Sequence, residues 1–214
     1  MSKPIVHGPA YSTYARTVRL ALEEKGVAYD LDEVDILKGE HQKPAYLALQ
    51  PFAKVPAFTH DGFSLYETAA IARYVDEAFP GPKLQPADVK RRARMAQIIA
   101  VVDSYAYGSF IGKVVWQRVV TPLLGGKADD QVVADAMPLV EKSVAALESA
   151  ADPAGPFLCG PEISLADLAL IPVIDYFSQT AEGKKSLAAA PKLSRWWQAV
   201  SNRPSVTKTR PQLG

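Results

Sequence analysis

A serine stands at the start of the first predicted helix, where its hydroxyl has two possible roles. Ser12 precedes a stretch in which Ala15, Val18 and Leu22 fall on one helical face, and Gly26 is placed to end the helix. The serine therefore faces the unpaired N–H groups and the positive dipole end of that helix. It either caps the helix or donates a hydrogen bond to an anion held there. A thiolate fits the second role, because a helix N-terminus lowers a thiol pKa from about 8.5 by about one unit or more. No cysteine lies near Ser12, so the thiol would come from a ligand.

A Val-Pro bond in the first half of the chain offers backbone groups that a bound peptide can pair with. Pro56 stands just before residues 57–66, which predict two short strands joined by an Asp61-Gly62 turn. A proline at the mouth of a strand can leave the N–H and C=O of Val55 facing solvent, where an extended peptide adds as a further strand. The alternative is a loop proline that only starts an edge strand.

A glutamate and a threonine follow these strands, at the point where a strand turns into a helix. Thr68 and the helix N–H groups suit a carboxylate, while Glu67 suits an ammonium. Together they match the α-amino-acid end of a ligand, although plain helix capping explains the pair as well. His41 and Lys54 offer a cationic clamp for a second carboxylate, with surface charge as the alternative.

The predicted elements fall into two domains of different class. Residues 1–80 have the order βαβ, then α, then ββα, which predicts a small sheet covered by helices. Residues 81–88 form a linker rich in proline, and residues 89–214 form an all-helical domain. In that domain Ser164 and Asp167 are predicted to form a capping box at the start of a helix, which is a structural feature. Four stretches of the second domain are predicted as helices: Val89 to about Gln117, Asp130–Ala150, Ser164–Ser178 and Pro191–Val200.

The bulk composition narrows the class of protein. The chain has 214 residues and a formal net charge of +1, so charge suggests neither a nucleic-acid partner nor a membrane partner. The single cysteine, Cys159, fits a reducing compartment. The three histidines lack metal-ligand spacing, and no apolar run is long enough for a signal peptide or a membrane span. We expect a cytoplasmic globular protein without a metal ion.

The whole chain resembles the cytosolic glutathione transferases. The motifs that carry the resemblance are Ser12 before Arg16-Thr17-Val18, the run Pro51-Phe52-Ala53-Lys54-Val55-Pro56-Ala57, the run Leu65-Tyr66-Glu67-Thr68-Ala69-Ala70-Ile71, the Ser164-x-x-Asp167 box and the ending Trp196-Trp197. Residues 39–44 are most similar to the phi class and its bacterial relatives. The resemblance implies a thioredoxin-like α/β N-terminal domain followed by the all-α C-terminal domain.

The resemblance also implies an activity and a role for each candidate residue. The protein would be a homodimer that conjugates glutathione to a hydrophobic electrophile in detoxification, with glutathione as co-substrate and no further cofactor. Ser12 would stabilise the glutathione thiolate, and Val55, before a cis Pro56, would pair with the cysteinyl backbone. His41 and Lys54 would lie near the glycyl carboxylate, whereas Glu67 and Thr68 would hold the γ-glutamyl amine and carboxylate. From the residues themselves we expect an electrophile pocket lined by Tyr11, Tyr107, Phe110 and Trp116, with core packing as the alternative for the aromatic residues of the long helix.

The chain departs from the family pattern at three positions, and two alternatives to a transferase stay open. Ala53 replaces the usual glycine, Gln42 stands where phi enzymes often have lysine, and Thr68 replaces serine. Tyr11 and Tyr14 flank Ser12, so either phenol is an alternative partner of the thiol. One alternative function is another glutathione-dependent enzyme, such as a peroxidase, dehalogenase or isomerase. The other is a non-catalytic binding or interaction protein, because fold alone does not fix function.

Overall fold

The computed structural model describes residues 2–211 and divides them into two compact units. One unit holds residues 2–85 together with residues 203–211, and the other holds Pro86–Asn202. The first unit is a mixed sheet with helices, and the second is built from helices. The predicted fold class, a thioredoxin-like α/β domain followed by an all-α domain, is confirmed.

The first unit is organised around a four-stranded sheet. Its strands are β1 (Ile5–His7), β2 (Asp30–Asp32), β3 (Ala57–His60) and β4 (Phe63–Tyr66), and their spatial order is β2-β1-β3-β4. β1 runs parallel to β2 and antiparallel to β3, and β3 pairs antiparallel with β4. The helices are α1 (Thr13–Glu24), α2 (Pro44–Leu47), α3 (Thr68–Ala78) and α9 (Pro204–Thr209), with a 3₁₀ turn at Glu40–Gln42.

Local sequence signals explain how α1 begins and ends. Ser12 is its N-cap, and the Ser12 hydroxyl accepts a hydrogen bond from the Ala15 N–H. At the other end Gly26 has φ +69°. The Gly26 N–H donates to the Glu23 carbonyl, and the Val27 N–H donates to the Leu22 carbonyl. This is a Schellman motif, which favours glycine because a Cβ disfavours left-handed backbone. The predicted left-handed cap at Gly26 is confirmed.

The turn between β3 and β4 was also readable from its residues. Asp61 and Gly62 have φ values of +48° and +80°. Positive φ at both central residues is the mark of a two-residue type I′ turn, whose twist matches that of the strands it joins. The predicted Asp-Gly hairpin is therefore confirmed.

The segment that leads into β3 carries a backbone strain. Ala53 has φ +53°, although only glycine adopts this region without steric cost. The turn is held by Gln50, which is buried and whose side-chain oxygen accepts the Phe52 N–H at 2.6 Å. The next residues, Val55-Pro56, are joined by a cis peptide bond.

The second unit is assembled on one long helix, α4, which covers Val89–Leu123. Its section Val102–Val120 is wound as a π-helix, a difference from the ordinary helix predicted to about Gln117. The buried residues of this section are Val102, Ala106, Ser109, Phe110, Val114 and Val115.

The other helices of this unit are α5 (Asp130–Ala150), α6 (Leu165–Phe177), α7 (Ala181–Ala188) and α8 (Pro191–Val200). α5 and α6 pack along α4. By length and composition alone α4 is able to cross a membrane, but the core helix of a soluble protein passes the same test. The length and composition of α4 are therefore weak evidence for a membrane span.

The capping box at the start of α6 is present and has further partners. Asp167 is fully buried, and its carboxylate accepts hydrogen bonds from the Ser164 N–H and hydroxyl at 2.7 Å. It also accepts the Leu158 N–H and the Trp196 indole N–H, both at 2.8 Å. Burial raises the pKa of Asp167, while these hydrogen bonds oppose the shift. The box therefore ties α6 to a loop and to α8.

The end of the chain differs from the predicted division of domains. The prediction placed all of residues 89–214 in the helical domain, whereas residues 203–211 pack with the first unit. Arg203 pairs with Glu24 at 2.6 Å, and the buried Arg16 donates to the Val206 carbonyl at 3.1 Å. Pro204 begins the separate helix α9, whose six residues were too few to give a helical pattern. Residues 212–214, which the prediction also placed in the helical domain, lie outside the described part of the chain.

A buried ion pair joins α1, α3 and the linker. The Lys25 ammonium, which is shielded from solvent, donates to the Asp76 carboxylate at 3.2 Å and to the Asp76 and Pro82 carbonyls at 2.9 and 3.1 Å. The Leu84 N–H donates to the same carboxylate at 2.8 Å. Gly81 passes so close that a Cβ there would lie 2.6 Å from the Lys25 carbonyl oxygen. The linker is thus wrapped tightly around Lys25.

We expect Lys25→Met to destabilise the protein by about 3 kcal/mol or more, because it leaves the Asp76 carboxylate buried without its cation. Urea unfolding at a fixed protein concentration measures the change. Lys38→Met is the matched control, since Lys38 pairs with Asp35 at 2.8 Å on the exposed surface. Equal unfolding midpoints for the two variants would contradict a stabilising role of the buried pair.

We expect Ala53→Gly to stabilise the protein by about 0.5–1 kcal/mol. Removing the Cβ relieves a left-handed conformation that costs about 1–2 kcal/mol, against a glycine entropy cost of about 0.5–1 kcal/mol. Ala48→Gly is the control, because Ala48 has an ordinary φ of −66° and should lose stability on the same change. The prediction fails if both variants shift the urea midpoint in the same direction.

Candidate functional site

Ser12 lies half-buried at the N-terminus of α1 with its hydroxyl hydrogen available. The hydroxyl oxygen accepts the Ala15 N–H at 3.2 Å, and within residues 2–211 the hydroxyl donates to no acceptor. The first turn of α1 contains no acidic residue, so nothing on that turn neutralises the positive end of the helix dipole. A group that donates at a positive helix end is suited to an anion.

Gly8 brings the start of α1 close to the Val55-Pro56 bond. A Cβ built on Gly8 would lie 3.3 Å from the Ala15 Cβ, 3.4 Å from the Val55 Cβ and 3.7 Å from the Pro56 Cα. Because Ala15 is the residue that Ser12 caps, the hydroxyl and the Val-Pro backbone are neighbours across this glycine. Gly8 was not predicted as a site residue. Its position directly after β1 and before Pro9 is the sequence signal for a close approach of two backbones.

The backbone of Val55 is unpaired, as predicted for a peptide-binding edge. Within the described residues neither its N–H nor its C=O makes a hydrogen bond. The carbonyl of the preceding residue, Lys54, accepts the Tyr46 hydroxyl at 2.7 Å. Val55 therefore presents one donor and one acceptor from a segment that its neighbours hold in place.

Glu67 and Thr68 lie opposite this segment. Ala57 pairs with Tyr66 in the β3–β4 ladder, so the antiparallel register runs on to place Pro56 opposite Glu67. Glu67 is the exposed N-cap of α3 and has φ +69°, a conformation that is uncommon for a residue with a side chain. Its carboxylate has no partner within residues 2–211. Backbone strain of this kind gathers at ligand sites, where surrounding structure holds it.

The two predicted cations lie on either side of α2 in the sequence. His41 belongs to the 3₁₀ turn, and its Nδ1 is buried without a hydrogen-bond partner in the described part of the chain. Its Nε2 is 3.4 Å from the side-chain nitrogen of Gln42. Lys54 is exposed, and its ammonium has no partner among residues 2–211. The exposed Lys54 ammonium can donate to an acceptor such as a carboxylate.

The four residues predicted to line an electrophile pocket divide between the units. Tyr11 belongs to the first unit and is 37% exposed, while Tyr107 and Trp116 lie along α4 with partly exposed rings. Phe110 differs from the prediction. It is fully buried and stacks on Phe177 with ring centroids 4.3 Å apart, so it is a core residue of the helical unit.

Two charged side chains that the sequence analysis missed hold the loop before Ser12. The Glu33 carboxylate accepts the Ala10 N–H at 3.2 Å, and Arg19 donates to the Ala10 carbonyl at 3.3 Å. Burial raises the pKa of Tyr11, and the nearby Asp35 and Glu33 carboxylates raise it further. The Tyr11 phenol therefore stays protonated and able to donate. No sequence pattern linked these residues, because they come from different elements.

The arrangement can bind a polar ligand through several kinds of contact. It combines a hydroxyl donor at a helix N-terminus, an extended segment whose Val55 backbone is unpaired, a carboxylate without a partner among the described residues, a histidine and a lysine. The described residues contain no cluster of histidine, cysteine and acidic side chains that could hold a metal ion.

Comparisons with known proteins agree with this description. Residues 6–83 match the family model described as "Glutathione S-transferase, N-terminal domain", and residues 108–204 match "Glutathione S-transferase, C-terminal domain". The chain is 32% identical over 208 residues to glutathione S-transferase F9 of Arabidopsis thaliana, with 95% of this chain and 94% of the relative covered.

Solved structures show the same similarity in three dimensions. Glutathione transferase F7 from Populus trichocarpa superposes with a TM-score of 0.84 at 28% identity, covering 96% of this chain and 97% of that one. Glutathione S-transferase I from maize, solved with an atrazine glutathione conjugate, gives a TM-score of 0.83 at 27% identity, covering 97% and 96%. The plant relatives are F-type enzymes, in agreement with the phi-class resemblance. The predicted enzyme class is confirmed, and the chain belongs to the glutathione S-transferase family.

Proposed function

We propose that the chain binds glutathione in its first unit and conjugates the thiol to a small hydrophobic electrophile, with Ser12 as the group that stabilises the thiolate. The observation that carries the proposal is the Ser12 hydroxyl at the positive end of α1, next to the unpaired backbone of Val55. The maize relative solved with an atrazine glutathione conjugate supports a small organic electrophile.

Ser12 acts by making the thiol more acidic. Glutathione enters with its sulfur near the serine, the thiol proton leaves to solvent, and the hydroxyl donates to the remaining thiolate. The helix dipole adds a favourable interaction with the same negative charge. Each unit of lowered pKa corresponds to about 1.4 kcal/mol of preference for the thiolate. The thiolate then attacks the electrophilic carbon, and a leaving group departs with the electron pair or the adduct takes a proton.

The rest of the peptide is held by groups around the sulfur. The Val55 N–H and C=O pair with the cysteinyl backbone as a short strand addition. Glu67 takes the γ-glutamyl ammonium, and Thr68 with the first N–H groups of α3 takes the α-carboxylate. His41 and Lys54 lie toward the glycyl carboxylate. These contacts fix the sulfur in place, which lowers the entropic barrier of the reaction. The chemistry needs no metal ion or redox cofactor.

The position of the single cysteine favours thiolate activation over thiol-disulfide exchange. Cys159, the single cysteine, belongs to the helical unit, where it is 5% exposed. Burial raises the pKa of its thiol to about 11, so it is protonated and inert near neutral pH. A buried, reduced cysteine is consistent with a cytoplasmic enzyme, and we assign it to detoxification.

We expect Ser12→Ala to bind glutathione but to release far fewer protons near pH 7, because the thiol pKa returns toward about 8.5. Calorimetric titration in two buffers of different ionisation enthalpy, at two pH values, measures the release. Thiolate absorbance in the ultraviolet gives an independent reading, and the buried Cys159 does not contribute to it.

Tyr11→Phe and Tyr14→Phe are the matched controls and should release protons as the wild type does. Undiminished release from Ser12→Ala together with a loss in either tyrosine variant assigns the thiolate to that phenol. A wild type that does not bind glutathione overturns the proposed function and favours an interaction protein.

We also propose a homodimer. Phe52 and Tyr66 of the first unit are 65% and 36% exposed, and their rings contact each other edge to face with centroids 6.0 Å apart, so they form one aromatic surface. Exposed apolar patches of this kind commonly mark protein interfaces.

We expect Phe52→Glu to convert the dimer to a monomer, because the buried charge would lack a partner. Light scattering after size-exclusion chromatography measures the mass. Leu37→Glu is the control, since Leu37 is equally exposed, at 68%, and lies outside this aromatic surface. A wild-type mass of one chain, or an unchanged dimer in Phe52→Glu, would contradict the proposed interface.

A further inference from the structure

We propose that Tyr46 is a positioning residue that holds the Val55 backbone in the geometry needed to pair with the cysteinyl part of glutathione. This inference rests on the proposed function, because it needs the Val55 contact with the ligand. Tyr46 lies on α2 and is 6% exposed, so it does not itself face the bound peptide.

The Tyr46 ring forms the centre of a small apolar cluster under the binding edge. It packs with Val34 and Ala57, and Leu49 and Val55 pack against this group. The cluster therefore fixes the Val55 side chain from below. Since the Val55 backbone has no partner within residues 2–211, the bonds made by its chain neighbours are what orient its N–H and C=O.

The Tyr46 hydroxyl holds the chain directly before Val55-Pro56. It donates to the Lys54 carbonyl at 2.7 Å, and the backbone of Ala57, the residue after Pro56, acts on the same oxygen and lowers its pKa. One phenol thus lies beside the chain on both sides of Val55-Pro56. Burial raises the pKa of Tyr46 to about 12, so the donor stays protonated throughout the range in which glutathione is activated.

Removing the hydroxyl should loosen the Val55 carbonyl without changing the groups at the sulfur. Tyr46→Phe keeps the ring and its packing, and it frees the Lys54 carbonyl. We expect weaker glutathione binding by about three- to tenfold, the usual worth of one hydrogen bond. The thiol pKa of bound glutathione should stay at the wild-type value, because Ser12 is untouched.

A glutathione analogue separates positioning from general stability. In the analogue an ester oxygen replaces the cysteinyl amide N–H, so it has no donor for the Val55 carbonyl. The wild type should bind it about three- to tenfold more weakly than glutathione. Tyr46→Phe should bind the two ligands with nearly equal affinity, because its Val55 carbonyl is already displaced.

Two variants serve as controls in the same titrations. Tyr74→Phe removes a phenol hydroxyl elsewhere in the first unit, where Tyr74 lies 2.9 Å from the His60 Nδ1. Leu49→Ala loosens the packing around the Tyr46 ring but leaves its hydroxyl in place. Both should discriminate between the ligands as the wild type does, even if their urea midpoints fall.

The outcomes separate this inference from the proposed function. Equal affinity of the wild type for glutathione and the ester analogue means that Val55 makes no such contact, and both the contact and the role of Tyr46 are then wrong. Full discrimination in Tyr46→Phe overturns the role of Tyr46 alone. If Leu49→Ala loses discrimination between the ligands as Tyr46→Phe does, Tyr46 contributes only through packing. That result also overturns the inference.

Discussion

The close approach of α1 to the Val55-Pro56 segment is the constraint on which the candidate site depends. Gly8 lies between them, and a Cβ there would lie 3.3 Å from the Ala15 Cβ and 3.4 Å from the Val55 Cβ. On one side of this contact is a helix N-terminus that favours negative charge, and on the other is an extended segment whose Val55 backbone is unpaired within the described residues. A side chain at Gly8 would push these two parts of the candidate site apart by a few tenths of an ångström.

Features set by neighbouring residues could be predicted from the sequence, because their causes are local. The cap at Ser12, the left-handed Gly26, the Asp61-Gly62 turn and the box at Asp167 each follow from a few adjacent residues. Features that join distant segments could not be predicted. The bond of Tyr46 to Lys54, the packing of Arg16 against α9 and the burial of Phe110 against Phe177 depend on how elements meet. The π-helical section of α4 could not be predicted either, because the spacing of its apolar residues suits more than one kind of helix.

Strained backbone occurs on both sides of the peptide-binding edge. Ala53 and Glu67 both have positive φ without being glycine, and they lie shortly before Val55 and opposite Pro56. Well-packed neighbours must compensate for such positions. On the side before Val55, the bond from the Phe52 N–H to the Gln50 side chain and the apolar cluster around Tyr46 hold the backbone.

The return of residues 203–211 to the first unit has a consequence for how the protein is made. The buried Arg16 and the Glu24 carboxylate of α1 bond residues 203–209, which lie near the end of the chain. Domains generally fold in order as they leave the ribosome. These bonds form after the helical unit has been translated, because residues 203–211 follow that unit in the sequence. The order of synthesis thus makes α1 one of the last parts of the first unit to gain its full set of contacts.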